Sequence, residues 1–350
     1  MFILQILPNL ISKLNKICGE KTTLKLLNLF IKNQKFFYLD KIYDFDEKNS
    51  VSRLTILLPG KGCQWALKTG GCTMCAFWKK AKEFGEKFSG DDLFALFKIA
   101  IILTTKESPV NLTIYNGGSF LNEKEIPFET QLKIFKEVNL HPSLKKLFIE
   151  SRVEFITEKK IKTLKKELGN KTLIIGIGLE SQDNRIRNFV IKKGLQKKDY
   201  ENAIKLLKKN NVRTLTYVFL KPISLSEKES IEEAIKTIKY AFEVGTDEIA
   251  LETAFIQEGT LMAQFFKEKK YKPPWLWSII EVIKKAYHLG PVHVGAFEDE
   301  PPPIAKPFNC HLCSKKIEII LQRYRETHDI SLLNNLTCSC YELWKKEIED

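Results

Sequence analysis

The chain has 350 residues, 44% hydrophobic and 28% charged, a balance that suits a globular protein with one barrel-sized domain and small additions. No apolar run approaches bilayer-spanning length. The apolar start MFILQILPNLI is short, lacks a basic leader and is interrupted by Pro8, which argues against a membrane protein or an exported one. A formal charge of +13 favours polyanionic partners such as nucleic acid, although a lysine-rich composition alone yields the same excess.

Residues 1–50 read as a largely helical cap, because Leu24, Leu27, Phe30 and Ile31 recur at helical spacing. Cys18 stands alone there and reads as a buried apolar residue. From residue 51 to about 300 apolar strands alternate with amphipathic helices. The strand candidates are Leu54–Leu58, Asn111–Tyr115, Lys146–Glu150, Leu173–Leu179, Thr214–Leu220 and Glu248–Leu251. The helix candidates are Asp91–Leu103, Glu129–Val138, Glu158–Glu167, Asp199–Lys209, Glu227–Phe242 and Trp275–His288, with Ser89 and Thr157 as N-caps. This alternation implies an α/β fold with a parallel sheet, curled into a partial (β/α)6 TIM-like barrel. A full eight-unit barrel is the alternative, because Val292–Ala296 supplies a seventh strand candidate. In such barrels the chemistry gathers at the C-terminal ends of the strands.

Those ends carry distinctive phrases. After the first strand comes LPGKGCQWALKTGGCTMCAFW, with Cys63, Cys72 and Cys75 spaced C-x8-C-x2-C among four glycines. Three thiolates are one short of a closed tetrahedral site, which suits either a reactive metal centre with an open position or a zinc loop completed by a distant residue. Later strands end in Asn116-Gly117-Gly118-Ser119, in Glu150-Ser151-Arg152-Val153-Glu154, in Gly176-Ile177-Gly178-Leu179-Glu180-Ser181 and in Leu220-Lys221-Pro222. Two tryptophans in YKPPWLWS either fill core or stack on a nucleobase. Beyond a proline-rich linker, residues 301–350 form a small module with Cys310, Cys313, Cys338 and Cys340 in two close pairs, a strong metal signal for zinc or a second iron–sulfur cluster. His311 reads as a neighbour of that site, since four thiolates already complete it. Six of the eight cysteines pair at short spacing, which favours metal over disulfides and a reducing cytoplasm.

The cysteine loop and the strand-end phrases together resemble the radical S-adenosylmethionine (SAM) enzymes, whose commonest loop spacing is C-x3-C-x2-C. The wide first gap, GCQWALKTGGCTMC and YKPPWLWS are similar to a narrower group, the radical SAM subunits of archaeosine synthases. The resemblance covers roughly residues 50–340. It implies that Cys63, Cys72 and Cys75 hold a 4Fe-4S cluster whose fourth iron binds SAM. It implies SAM contacts from Met74 at the adenine, from Gly117, Gly118 and Ser119 at the methionine amino group, and from Glu150 and Arg152 at the amine and carboxylate. Gly178 would then let the cofactor lie close, and Glu180 and Ser181 would meet the ribose. Ser119 departs from the family pattern, which often has an acidic residue there. Lys221 is expected to face a phosphate or a substrate carboxylate, or to be a solvated turn lysine.

The activity so implied is a lyase acting on tRNA. A 5′-deoxyadenosyl radical would cleave a lysine-derived C–N bond on a 7-deazaguanine base to form archaeosine. A lysine-transferring alpha subunit and an electron donor are the implied partners. The rivals are an Elongator-like radical SAM enzyme acting on tRNA uridine, which lacks support because no acetyltransferase phrases are present, and a non-enzymatic zinc protein that binds RNA through its lysines.

Overall fold

A computed structural model describes residues 15, 19, 20, 22, 23, 36–297 and 302–349. The helical-cap positions Leu24 to Ile31 and Cys18 lie outside the described residues. Among those described, eight strands form one sheet in chain order: β1 (Phe37–Asp44), β2 (Asn49–Leu57), β3 (Asn111–Tyr115), β4 (Lys146–Glu150), β5 (Thr172–Glu180), β6 (Arg213–Leu220), β7 (Glu248–Thr253) and β8 (Val292–Val294). β1 is antiparallel to β2, and every later pair is parallel. The sheet therefore has seven parallel strands where six were expected, with Val292–Val294 as the seventh. β1 lies in a segment read as helical. Tyr38, Leu39 and Lys41 are exposed while Phe37, Asp40, Ile42 and Tyr43 are half-buried, which suits an edge strand.

Helices α1 (Gln64–Thr69), α2 (Phe77–Gly85), α3 (Gly90–Leu103), α4 (Phe128–Leu140), α5 (Glu158–Leu168), α6 (Lys197–Lys209), α7 (Glu227–Val244), α8 (Leu261–Lys267) and α9 (Leu276–Ala286) connect the strands. Helix α5 shows why they form. Ile161, Leu164 and Leu168 fall on one stripe and are buried, while lysines, two glutamates and Thr163 occupy the rest of its surface. Ser89 begins α3 with a reciprocal capping box to Asp92, and Thr157 accepts from the Lys160 amide at the start of α5. Leu54 and Ile56 of β2, Leu112 and Ile114 of β3, and Leu147 and Ile149 of β4 alternate onto the helix-covered face and are fully buried. The opposite, concave face carries polar groups.

One end of that concave face is closed. The β1–β2 turn sends Asp44 to Lys146 at 2.6 Å and to the Asn111 amide at 2.8 Å, and Asp46 to Lys146 and Arg213. Arg213 meets Glu248 at 2.6 Å, and Glu248 meets His293 at 2.7 Å. These groups begin β3, β4, β6 and β7, so the network seals the N-terminal end of the strands and leaves the C-terminal end for a site.

The sheet does not close, since β1 and β8 do not pair. The tail supplies α10 (Ser314–Thr327) and α11 (Cys340–Glu349). Helix α10 spans the gap: Tyr324 donates its hydroxyl to the Val292 carbonyl of β8 at 3.1 Å, and Arg325 reaches Asp40 of β1 at 3.0 Å. Ile317, Leu321, Tyr324, Leu333 and Trp344 belong to the same continuous apolar core as the barrel strands. No helix among the described residues is long and apolar enough to cross a membrane.

Candidate active site at the strand ends

The cysteine loop follows β2 directly. The Leu58 amide still donates to the Tyr115 carbonyl of β3 at 2.8 Å, which extends the sheet to the loop's first turn. A Cβ on Gly60 would sit 2.7 Å from the Asn116 carbonyl oxygen, so only glycine lets the loop lie against the end of β3. Cys63 immediately precedes the short helix α1, which ends at Gly70 in the left-handed conformation (φ 86°) and returns the chain to Cys72. The Cys75 amide donates to the Cys72 carbonyl at 3.2 Å. Two later connections anchor this loop. Thr73 donates its amide to Ile191 at 2.9 Å and its hydroxyl to Val190 at 3.0 Å, and it accepts from the Met262 amide at 3.1 Å. Lys79 donates to the Gly259 carbonyl at 2.6 Å.

All three thiols are free and half-buried. Burial pushes the Cys75 thiol up to about 12, and the neighbouring Cys72 and Cys63 add to the rise. Burial also raises Cys72, while Lys193 and Arg152 oppose it. Burial and the neighbouring sulfurs thus favour the protonated thiol at Cys72 and Cys75. Metal coordination is what turns such thiols into thiolates. Their sulfurs do not join the group gathered within 4.8 Å that the tail cysteines form.

The other strand ends converge here. Ser119 is fully buried, and its hydroxyl accepts from the Arg152 amide at 3.2 Å. Glu125, unread in the sequence, organises the Asn116–Ser119 turn. It accepts from the Ser119 amide at 2.6 Å, from the Asn116 and Asn122 side chains at 2.9 Å each, and from the Gln64 amide of α1 at 3.4 Å. Its side chain fills the space a Cβ on Gly118 would need, and that Cβ would also lie 3.1 Å from the Cα of Cys63. Gly117 has φ 64°. Arg152 is committed to Glu154 at 2.6 Å and to the carbonyls of Lys193 and Gly194 at 2.9 and 3.1 Å, with its guanidinium 4.9 Å from the Trp65 ring centre.

Glu180 takes a positive φ of 67° where the β5–β6 register shifts, and its carboxylate pairs with Lys193 at 2.7 Å. Burial opposes the charge on Lys193, yet Glu180 holds its ammonium above the usual range. Gly178 leaves the room this pair occupies. Glu150 is raised to about 7, first by burial and then by Glu180, against a hydrogen bond from Tyr217 and the field of Lys193. Tyr115, Tyr217 and Glu252 share that field on the concave face. Met74 and Cys72 pack against the apolar group of Ile191, Phe219, Ile256 and Met262.

Ser181 points elsewhere: it is fully buried and its hydroxyl binds Glu233 of α7 at 2.5 Å. Lys221 is not a solvated turn lysine, nor does it face an open site; it is buried and ion-paired with the buried Glu227. Trp277 is core, only 2% exposed. Sequence reasoning also missed Lys193 and Tyr217. The signal for Tyr217 was there, as it shares a strand face with Leu215 and Phe219, and a phenol on such a face needs a polar partner.

The sequence profile of the radical SAM superfamily matches residues 57–236. This chain belongs to the radical SAM superfamily. Members of this superfamily pair SAM with an iron–sulfur cluster. The chain is similar to the archaeosine synthase subunit beta of Methanosarcina acetivorans, 33% identical over 301 residues that cover 85% of this chain and 86% of that one. It is similar also to the archaeosine synthase subunit beta of Thermococcus kodakarensis, 29% identical over 307 residues that cover 85% and 92%. Among solved structures, N-terminally truncated Elp3 from Methanocaldococcus infernus shares the fold, with TM-score 0.51 and 19% identity over 67% of this chain and 59% of that one.

Proposed function

We propose that this protein is the radical-forming subunit of an archaeosine synthase, a C–N lyase acting on tRNA. The observation that carries the reading is the meeting of Cys63, Cys72 and Cys75 at the open end of a parallel half-barrel, in a chain similar to two archaeosine synthase beta subunits over most of their length. Cys63, Cys72 and Cys75 would hold the 4Fe-4S cluster. When bound, the cluster and SAM would supply 5′-deoxyadenosyl-radical chemistry for cleaving the lysine-derived C–N bond that stands between the precursor base and archaeosine. The chain's own residues position that chemistry. Glu125 holds the Gly117–Gly118 turn against Cys63, so the backbone there meets the methionine amine in a set geometry. Glu150 provides a carboxylate for the same amine, and Arg152, released from Glu154, forms a paired fork with the methionine carboxylate. Glu180 serves the ribose, and Met74 packs at the adenine. Ser181 has no part in it, because its hydroxyl is turned to Glu233.

A charge of +13 suits a tRNA substrate. A lysine-transferring alpha subunit, an electron donor and a cytoplasmic setting complete the reading. The test is anaerobic reconstitution with SAM and lysine-bearing precursor tRNA, followed by nucleoside mass spectrometry. Archaeosine in the digest supports the assignment. Turnover of a different RNA with none of this precursor would keep the radical chemistry and remove the substrate.

A further inference from the structure

The sequence leaves two occupants open for the tail cysteines, and the geometry separates them. Cys310, Cys313, Cys338 and Cys340 bring all four sulfurs within 4.8 Å of one another. Three of the sulfur pairs, Cys310–Cys313, Cys310–Cys338 and Cys313–Cys340, are 3.6 Å apart. A tetrahedral ion with metal–sulfur bonds near 2.3 Å has edges of ~3.8 Å, so the four sulfurs sit at the corners one ion requires. A four-iron cluster bonds each thiolate to a different iron and needs them wider apart. His311 is exposed and lies against Phe308, outside the group.

The surroundings are built for a fixed centre. Each pair sits at the start of a tail helix, Cys313 before α10 and Cys340 opening α11. Ser314 donates its hydroxyl to the Cys310 carbonyl at 2.8 Å and accepts from the Asn309 amide at 2.9 Å. Trp277 of α9 donates its indole N–H to the Cys340 sulfur at 3.4 Å, an outer hydrogen bond that orients a metal ligand. The contacts continue into the barrel. Trp344 of α11 donates to the Ser278 hydroxyl at 2.8 Å, Ser278 donates to Glu227, and Glu227 pairs with Lys221 at the end of β6.

We propose that the four tail cysteines bind a single zinc ion, and that this ion is a clasp for the open half-barrel. It joins the starts of α10 and α11. Helix α10 then spans the gap between β1 and β8, and α11 supports the β6–α7 corner through Ser278 and Glu227. The ion has no redox part, and four thiol protons leave as it binds.

The experiment uses the full chain, prepared anaerobically, with metal analysis, zinc-edge X-ray absorption and hydrogen exchange. The expected result is about one zinc per chain with four sulfur neighbours near 2.3 Å. That zinc persists in C63A/C72A/C75A and is lost in C338S/C340S. Because C338S/C340S could misfold, the second measurement removes zinc from the wild-type chain with a chelator. Protection should then fall at least tenfold in residues 314–327 and 220–230 and stay unchanged in β3 to β5. Iron retained at the tail of C63A/C72A/C75A, or zinc loss without any change in exchange at 314–327, overturns the proposal. Neither readout depends on turnover of any RNA, so the clasp can fail while the archaeosine reading stands, and the reverse.

Discussion

The Lys193–Glu180 pair offers a sharp test of how the site is held. The two side chains are only 15% and 8% exposed and meet at 2.7 Å, and Glu180 carries a backbone angle that favours glycine. Removing one partner of a buried pair leaves an uncompensated charge and costs roughly 3–5 kcal/mol. Lys193 keeps some solvent contact, so Lys193→Met should cost about 3 kcal/mol, the low end of that range. Glu180→Gln should cost less, since the ammonium then has an amide oxygen and water within reach. The double variant should cost clearly less than the sum of the singles, with a coupling near 2 kcal/mol. Urea unfolding of the cluster-free protein, with the tail metal kept in place, reads all four corners of the cycle. Additive costs, or a Lys193→Met variant within about 0.5 kcal/mol of the parent, would show the pair to be solvated and the reasoning wrong.

Three further outcomes are expected. Cys72→Ala should abolish SAM cleavage and the dithionite-bleachable absorbance while tail metal content stays the same. Glu150, raised to about 7, is favoured in its neutral form by the fold, so its contribution is full below its unfolded value of 4.5 and is lost as pH rises through about 7; stability should fall over that window, SAM affinity should rise over it, and Glu150→Gln should flatten both profiles. His328 is stacked on Tyr43 and Tyr287, and burial and then His293 lower it to about 4. Its neutral form therefore stabilises the fold above pH 6.5, a contribution lost as pH falls toward 4, and denaturant midpoints of His328→Phe should lose that slope.

The order of strands and helices was legible because covered parallel strands are apolar and their helices carry one apolar stripe. Asn111–Tyr115 and Lys146–Glu150 appear with the bounds their runs of apolar residues imply. The cysteine spacing was equally legible, since chemistry at a metal depends on which ligands stand close along the chain. Pairing across the molecule was not. Lys193 and Glu125 are ordinary loop residues until the fold brings one to Glu180 and the other to the Gly117–Gly118 turn. Lys221 reads as a surface lysine, and only the arrival of α7 and α9 buries it on Glu227. The tail cysteines announced a metal, but the spacing between sulfurs from two distant helices decides how many ions fit, and that distance exists only once α10 and α11 have packed against α9. Local pattern follows from backbone period and solvent exposure, both written residue by residue. Charge partners, by contrast, are set by which loops meet at the strand ends.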